Sequence, residues 1–491
     1  MTALDFGVMT AYFAVILGIG AYFARRQGDA VDYFLGHRSL PWWAVMLSIV
    51  ATETSALTVI SVPGLGARGD FTFLQIALGY FVGRIGVAIW LLPGYFTGQQ
   101  ETAYTRLETR FGPETRRAAS GLFMVIRALG DSVRVFATAI PLALVTGWDA
   151  WLCVLVVAVV TLLYTWRGGL QAVVWVDVLQ LGLYVVGGVL TIMVAAELAG
   201  GFGPAIERAG AAGKLRALDW QISFSAPYTV LGGIVGGALL SAASHGTDHL
   251  IVQRLLATRS LRDARRALVG SGVLVIGQFA LFLLVGTMLW AAGADSGSGR
   301  SDALYPRFMI EGLPAGVSGL VIAGLLAAAM STVSSSLNSL SSALTHDFYA
   351  PLTGRRDSKH LLAVGRLFTI GWAVVLAGGA LSFRSTDTPV VELGLAIASV
   401  IYGGLLGTFV LGGLVARARQ RDAIAALIVA TAAMLLIVFA KPGPFAQLAW
   451  PWYVPLGLAI TVGTGWAASR LGTAGGRPDG EMAGESGAQG K

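Results

Sequence analysis

Residues 323–347 read AGLLAAAMSTVSSSLNSLSSALTHD, an apolar stretch with an unusual load of side-chain oxygens. Ser331, Thr332, Ser334, Ser335, Ser336, Ser339, Ser341 and Ser342 lie in it, with Asn338 among them. Ser331, Ser335, Asn338 and Ser342 follow an i, i+4, i+7, i+11 spacing, which puts them on one face of a helix. Inside a membrane such groups face protein or water, because lipid offers no hydrogen-bond partner. Uncharged oxygens suit a hard, weakly held cation such as sodium. The same pattern also serves plain helix packing, where small residues and hydroxyls are common. From the stretch alone the two uses are equally supported.

Other groups with chemistry lie in apolar surroundings. Glu53 sits in Thr52-Glu53-Thr54-Ser55, midway along an apolar run, and Arg84 lies at similar depth in the next run. Neither charge should stay unpaired there, so a buried Glu53–Arg84 pair is expected. Thr52, Thr54, Ser55 and Thr58 add hydroxyls. If the helix unwinds here, the freed carbonyls of Ala51 and Thr54 can coordinate a cation beside a half-helix end. Arg127, Asp131 and Arg134 share a face at i, i+4, i+7. Two arginines against one aspartate leave a spare positive charge, and a guanidinium reads a carboxylate in bidentate fashion. A structural network is the competing use. Asp177, in GGLQAVVWVDVLQ, would strengthen cation binding beside the hydroxyl helix, unless it is merely hydrated near the cytoplasmic end. Phe71, Phe73 and Gln75 open the run after the first break and could stack on or bond a polar solute. His245 reads as a packed histidine. Asp248 and the basic run Arg254–Arg266 read as an interfacial turn and a cytoplasmic loop.

The elements that hold these residues follow from composition. Of 491 residues, 55% are hydrophobic and 12% charged, and the mean hydropathy is +0.71. That is the signature of a polytopic membrane protein, with the lipid bilayer as its main partner. About thirteen apolar runs are long enough to span, at 4–24, 41–66, 72–96, 117–147, 149–166, 170–199, 223–249, 267–293, 313–346, 361–384, 388–415, 422–440 and 449–470. Alternate loops carry 23 and 8 of the 34 Lys and Arg residues, three more lying inside spans. The richer loops face the cytoplasm, which puts the N-terminus outside and the C-terminus inside. The net charge of +7 is therefore topology signal and not a nucleic-acid surface. The first run has no basic flank and no cleavage site, so it reads as a span and not as a signal peptide.

The spans in 41–199 and in 223–415 form two sets of five with opposite orientation. Each set opens on a helix with an interruption, at Thr52–Ser55 in one and at Gly232, Gly233, Gly236 and Gly237, followed by Ser241, Ser244, His245 and Gly246, in the other. This is the layout of an inverted-repeat transporter with a midplane site. Residues 1–471 then form one transporter domain, with 4–24 as an extra first helix and 422–470 as two peripheral ones. Residues 472–491, Gly-rich and polar, read as a disordered cytoplasmic tail. One cysteine, Cys153, and five scattered histidines give no disulfide framework and no metal spacing. There is no GxSxG, HExxH or Walker loop and no GxGxxG following a strand, so no enzyme is read, and energy would come from an ion gradient.

Five segments together resemble the sodium:solute symporter family: ATETSALTVISVPG (51–64), RFGPETRR (110–117), GGLQAVVWVDVLQ (168–180), GTDHLIVQRLLATRS (246–260) and AAAMSTVSSSLNSLSSALTHDFY (327–349). The resemblance implies an all-α leucine-transporter-type fold of two inverted five-helix repeats plus extra helices. It implies sodium as the coupling ion. Its shared sodium site falls here on the carbonyls of Ala51, Thr54 and Ala328 with the hydroxyls of Ser331 and Thr332. A further site in some members falls on Asp177, Ser331, Ser334 and Ser335. An arginine like the carboxylate reader of the family's sialic acid symporters falls on Arg127 or Arg134. The positions that contact sugars in other members are not clearly kept, Thr58 standing where a longer polar side chain is expected.

The expectation is a sodium-coupled symporter that imports a small polar organic solute as a monomer by alternating access. The solute would be a sugar, an organic acid or an amino-acid-like compound. Its pocket would use Ser55, Thr58, Phe73, Gln75, Arg127 and Arg134. Proton coupling through Glu53 or Asp177, and a sensor or scaffold without transport, are the alternatives.

Overall fold

The computed structural model describes residues 1–25, 27–98, 100–294, 301–383 and 390–471. The tail expected at 472–491 lies outside the described residues, as do Arg26, Arg300 and Arg384 of the loop charges. The described chain is helical throughout, with one isolated bridge between Leu40 and Thr258. Among the described residues, seven helices are long and apolar enough to cross a membrane, and one bent pair would make an eighth. Helices occupy all the runs read from the sequence, including those that are too polar or too short for that criterion.

The first helix, α1 (Ala3–Ala24), is largely exposed and packs one face, with Met9, Tyr12 and Ile16, on the core. Next come α2 (Trp42–Glu53) and α3 (Ala56–Arg68), which are bent by 69° at the residues between them. Thr54 (φ −81, ψ 94) and Ser55 (φ −85, ψ 167) are extended there. The Thr54 amide still reaches Val50 O at 3.0 Å, so the break is confined to one step. Non-helical backbone at membrane depth is tolerated only where protein or a polar cavity encloses it, and Thr52, Thr54 and Ser55 are all buried.

Then follow α4 (Leu74–Tyr95) and α5 (Pro113–Thr146). Helix α6 runs over Ala150–Leu198, 49 residues. At 1.5 Å per residue this is about 70 Å, roughly twice a bilayer core. It divides at Gly169 (φ 58, ψ −160) into the two expected spans. Only glycine fits there, since a Cβ would meet Tyr33 O at 2.6 Å.

The second interruption differs from the expected one. Gly232–Gly236 form a wide helical turn that runs straight into α7 (Gly237–Gly246). These glycines serve close packing: a Cβ on Gly79 of α4 would meet Gly233 O at 2.1 Å. The chain breaks further on, at Thr247–Asp248, before α8 (His249–Leu256). Asp248 caps α8, accepting from Leu250 N at 2.9 Å.

Helix α9 is Leu261–Ala291, and α10 is Val317–Ala343, continued by a wide turn to Tyr349. The remaining helices are α11 (Ser358–Ser382), α12 (Val390–Leu414), α13 (Gln420–Leu435) and α14 (Tyr453–Leu471). Helix α10 carries the hydroxyl stretch. Its most apolar stretch is 89% buried, against 22% for α1, so it is the central helix with protein on every side.

Candidate functional site

The four-residue face on α10 is real and points at the two broken helices. Ser331 Oγ donates to Asp177 Oδ1 at 2.6 Å. Ser335 Oγ donates to Ser331 O at 2.6 Å and lies 3.1 Å from Thr52 Oγ1. Asn338 Oδ1 accepts from Gln253 Nε2 at 2.8 Å, and Ser342 Oγ is 3.1 Å from His249 Nε2. Off that face, Ser336 bonds Asp131, while Ser334 and Ser339 return their hydroxyls to their own helix.

Asp177 lies in the core and is not hydrated at an end. Its side chain and that of Arg254 are both 0% exposed. Asp177 Oδ2 accepts from Ser48 Oγ at 2.6 Å, from Thr52 Oγ1 at 3.3 Å and from Arg254 Nη2 at 3.2 Å. Arg254 also donates to Ser48 Oγ (2.9 Å) and Leu250 O (2.9 Å), and bonds Ser335. This corrects the placement of Arg254 in a cytoplasmic loop. The set expected for a further cation thus already holds a guanidinium.

On the other side of α10, Thr332 Oγ1 lies 3.4 Å from Thr52 O and 3.4 Å from Ala328 O. Ala51 and Ala328 are fully buried. Thr54 spends its hydroxyl locally: it donates to Val50 O at 2.8 Å and accepts from Gln278 Nε2 at 2.5 Å. The backbone of the break, Ala328 and Thr332 are therefore brought together. Ser331 is adjacent, with its hydroxyl turned to Asp177.

A cavity of about 210 Å³ opens beside the break. Ser55, Thr58, Phe73, Arg127 and Arg134 line it, as expected, and so do Glu53, Tyr80, Tyr228, His245, Phe279, Tyr402 and Trp450. Gln75 does not. Its amide is satisfied by Thr72 O (3.0 Å), Tyr228 O (3.1 Å) and the Asp219 amide (3.0 Å), so it ties a loop to α4. This corrects its assignment to the pocket.

The expected Glu53–Arg84 pair is present. Arg84 is fully buried and also donates to Ser271 Oγ at 2.7 Å. The spare positive charge on α5 is corrected as well. Arg134 pairs with Asp131, but Arg127 pairs with Asp248, which is buried and not interfacial. Tyr402 OH donates to Asp248 Oδ2 at 2.8 Å and accepts from Arg127 Nη2 at 3.3 Å. Among the described residues, Arg134 has an ion pair with Asp131 alone, and its side chain is 25% exposed against 10% for Arg127. It is the more exposed of the two guanidiniums that line the cavity.

The sequence reading missed Asp248, Arg254 and Tyr402. A usable signal existed: Gln253 and Arg254 interrupt the apolar run HLIVQRLLA, and a charge inside such a run needs a partner.

Residues 33–430 match the model of the sodium:solute symporter family. The sodium/sialic acid symporter SiaT of Proteus mirabilis is 29% identical over 456 residues, spanning 88% of this chain and 89% of that protein. Sodium-coupled monocarboxylate transporter 2 of Bos taurus is 27% identical, over 91% of this chain and 74% of that one. The solved structure of a substrate-bound, outward-open sodium-coupled sialic acid symporter superposes with a TM-score of 0.86 at 26% identity, covering 96% and 98% of the two chains. The nucleobase-cation symporter Mhp1 shares the fold at a TM-score of 0.59 and 14% identity, over 89% of this chain and 94% of that one. With the broken helix, the central hydroxyl helix and the cavity beside the break, these matches identify the chain as a multi-pass membrane protein of the sodium:solute symporter family, a sodium-coupled symporter of a small polar solute.

Proposed function

We propose that this symporter imports a carboxylate-bearing solute with one sodium ion held between the broken helix and α10. The observation that carries the solute class is Arg134, which lines the cavity and has Asp131 on one side of its guanidinium. Relatives named for sialic acid and for monocarboxylates, both carboxylates, point the same way. Ser55, Thr58 and Phe73 would fix the rest of the solute. The ion's ligands would be the carbonyls of Ala51, Thr54 and Ala328 and the hydroxyls of Ser331 and Thr332. The approach of Thr332 to Thr52 O and Ala328 O supports that assignment.

Sodium would clamp α2 and α3 against α10, stabilising the arrangement that binds solute from outside. Its loss to the cytoplasm would loosen the clamp and free the solute. A further ion at Asp177, Ser331, Ser334 and Ser335 would require Arg254 to withdraw from Asp177. The N-terminus lies outside, the C-terminus is cytoplasmic, and each monomer works alone. The spans of 41–199 and 223–415 move as the two inverted repeats.

Thr332→Ala tests the sodium site. Loss of one oxygen ligand worth about 1–1.5 kcal/mol raises the half-saturating sodium concentration roughly tenfold, while the protein folds normally. Sodium titrations of uptake in liposomes read this directly. Unchanged sodium activation in the variant would sink the assignment.

A further inference from the structure

We propose that the transported solute carries an ammonium group as well as a carboxylate, the ammonium being held by Glu53 and His245. This rests on the carboxylate reading of Arg134 above and adds the other end of the solute.

The subsite is built from two acceptors without a donor between them. His245 is 2% exposed and lines the cavity. Its Nδ1 lies 3.2 Å from Ser241 O and 2.8 Å from Ser244 Oγ. With the ring proton on Nδ1 and donated to Ser241 O, Nε2 presents a lone pair. That Nε2 is buried and has no hydrogen-bond partner in the structure. It stands 3.7 Å from Glu53 Oε2, too far for a hydrogen bond. Glu53 is 18% exposed and also lines the cavity. Among the described residues its ion-pair partner is Arg84, with the His245 ring beside it.

A buried acceptor left unpaired is costly, and it selects for whatever ligand satisfies it. One hydroxyl offers a single donor. An ammonium offers three, enough to serve Glu53 and His245 together, and its charge suits the carboxylate. The charge balance agrees. Of the residues lining the cavity, Glu53 is paired with Arg84, Arg127 with Asp248 and Arg134 with Asp131, so the charges at and behind the walls balance. A zwitterion adds no net charge to that low-dielectric site, with its poles matched to Arg134 and to Glu53. The ring faces of Phe73, Tyr80, Phe279 and Trp450 enclose the carbon skeleton between them.

The test uses the purified full chain in sodium buffer and measures dissociation constants for sets of compounds with matched skeletons. Suitable sets are leucine, 2-hydroxy-4-methylpentanoate and 4-methylpentanoate; phenylalanine, phenyllactate and phenylpropionate; and γ-aminobutyrate, γ-hydroxybutyrate and butyrate. At least one amino acid should bind tenfold or more tightly than both of its amine-free analogues, because they leave Nε2 and the carboxylate unserved. His245→Phe and Glu53→Gln should shrink that ratio. Glu53 partners a buried arginine and its variant could unfold, so the wild-type ratio decides. If in every set that binds an amine-free acid is held within tenfold of its amino counterpart, this inference is overturned and the carboxylate reading stands. If no carboxylate in the panel binds in sodium, both fall.

Discussion

Arg254→Ala should destabilise the protein more than any other single change in the site. Among the described residues its guanidinium is the one cation bonded to Asp177, and neither side chain touches solvent. Removing it leaves a buried carboxylate with only the hydroxyls of Ser48, Thr52 and Ser331 for company. Breaking a buried pair from one side costs about 3–5 kcal/mol, because the surviving charge is uncompensated. The double variant with Asp177→Ala should recover part of this loss, since no charge is then stranded. Sodium should protect the single variant more than it protects the wild type, because the vacated oxygens can then hold a second ion. Melting curves in sodium chloride and in choline chloride measure all three effects. A single variant as stable as wild type without sodium would show that the pair does not hold the core together.

The second large effect is expected from Arg134→Ala. Charge-assisted hydrogen bonds are worth about 1.5–3 kcal/mol, so affinity for a carboxylate solute should fall roughly 10- to 100-fold. Lysine should not rescue it, since a point charge cannot make the bidentate contact. The sodium-induced shift in melting temperature should survive, because Arg134 lies on the solute side of the break. Arg127→Ala should behave differently. That side chain is bound to Asp248 and Tyr402, so its loss strands the cap of α8 and lowers stability along with affinity. Equal solute affinity in wild type and Arg134→Ala would remove Arg134 as the carboxylate reader.

Much of the fold was legible because membrane solvation is a harsh constraint. Lipid demands long apolar runs, and each charge inside one must find a partner. Glu53 and Arg84 were paired from depth alone for that reason. The hydroxyl face of α10 was legible from spacing, and every member of it found a buried partner. The limits have equally specific causes. The second break was placed at glycines, yet Gly233 and Gly236 serve helix contact, and the chain turns at Thr247–Asp248. Glycine marks close approach as readily as a break, and spacing does not separate the two. Asp248 and Arg254 border a basic loop, so their charge read as topology signal and not as core. Gln75 was assigned to the cavity from position along α4, but which way its side chain turned depended on a loop from far along the chain.

The coupling ion is tested most directly in liposomes holding the purified protein. Uptake of a labelled solute found in the binding panel is measured under an inward sodium gradient with pH clamped. It is then measured under an inward proton gradient without sodium. Accumulation is expected only under the sodium gradient, and it should collapse when a sodium ionophore is added. Accumulation driven by the proton gradient alone would contradict sodium coupling, and would move the coupling role to the carboxylates of Glu53 or Asp177.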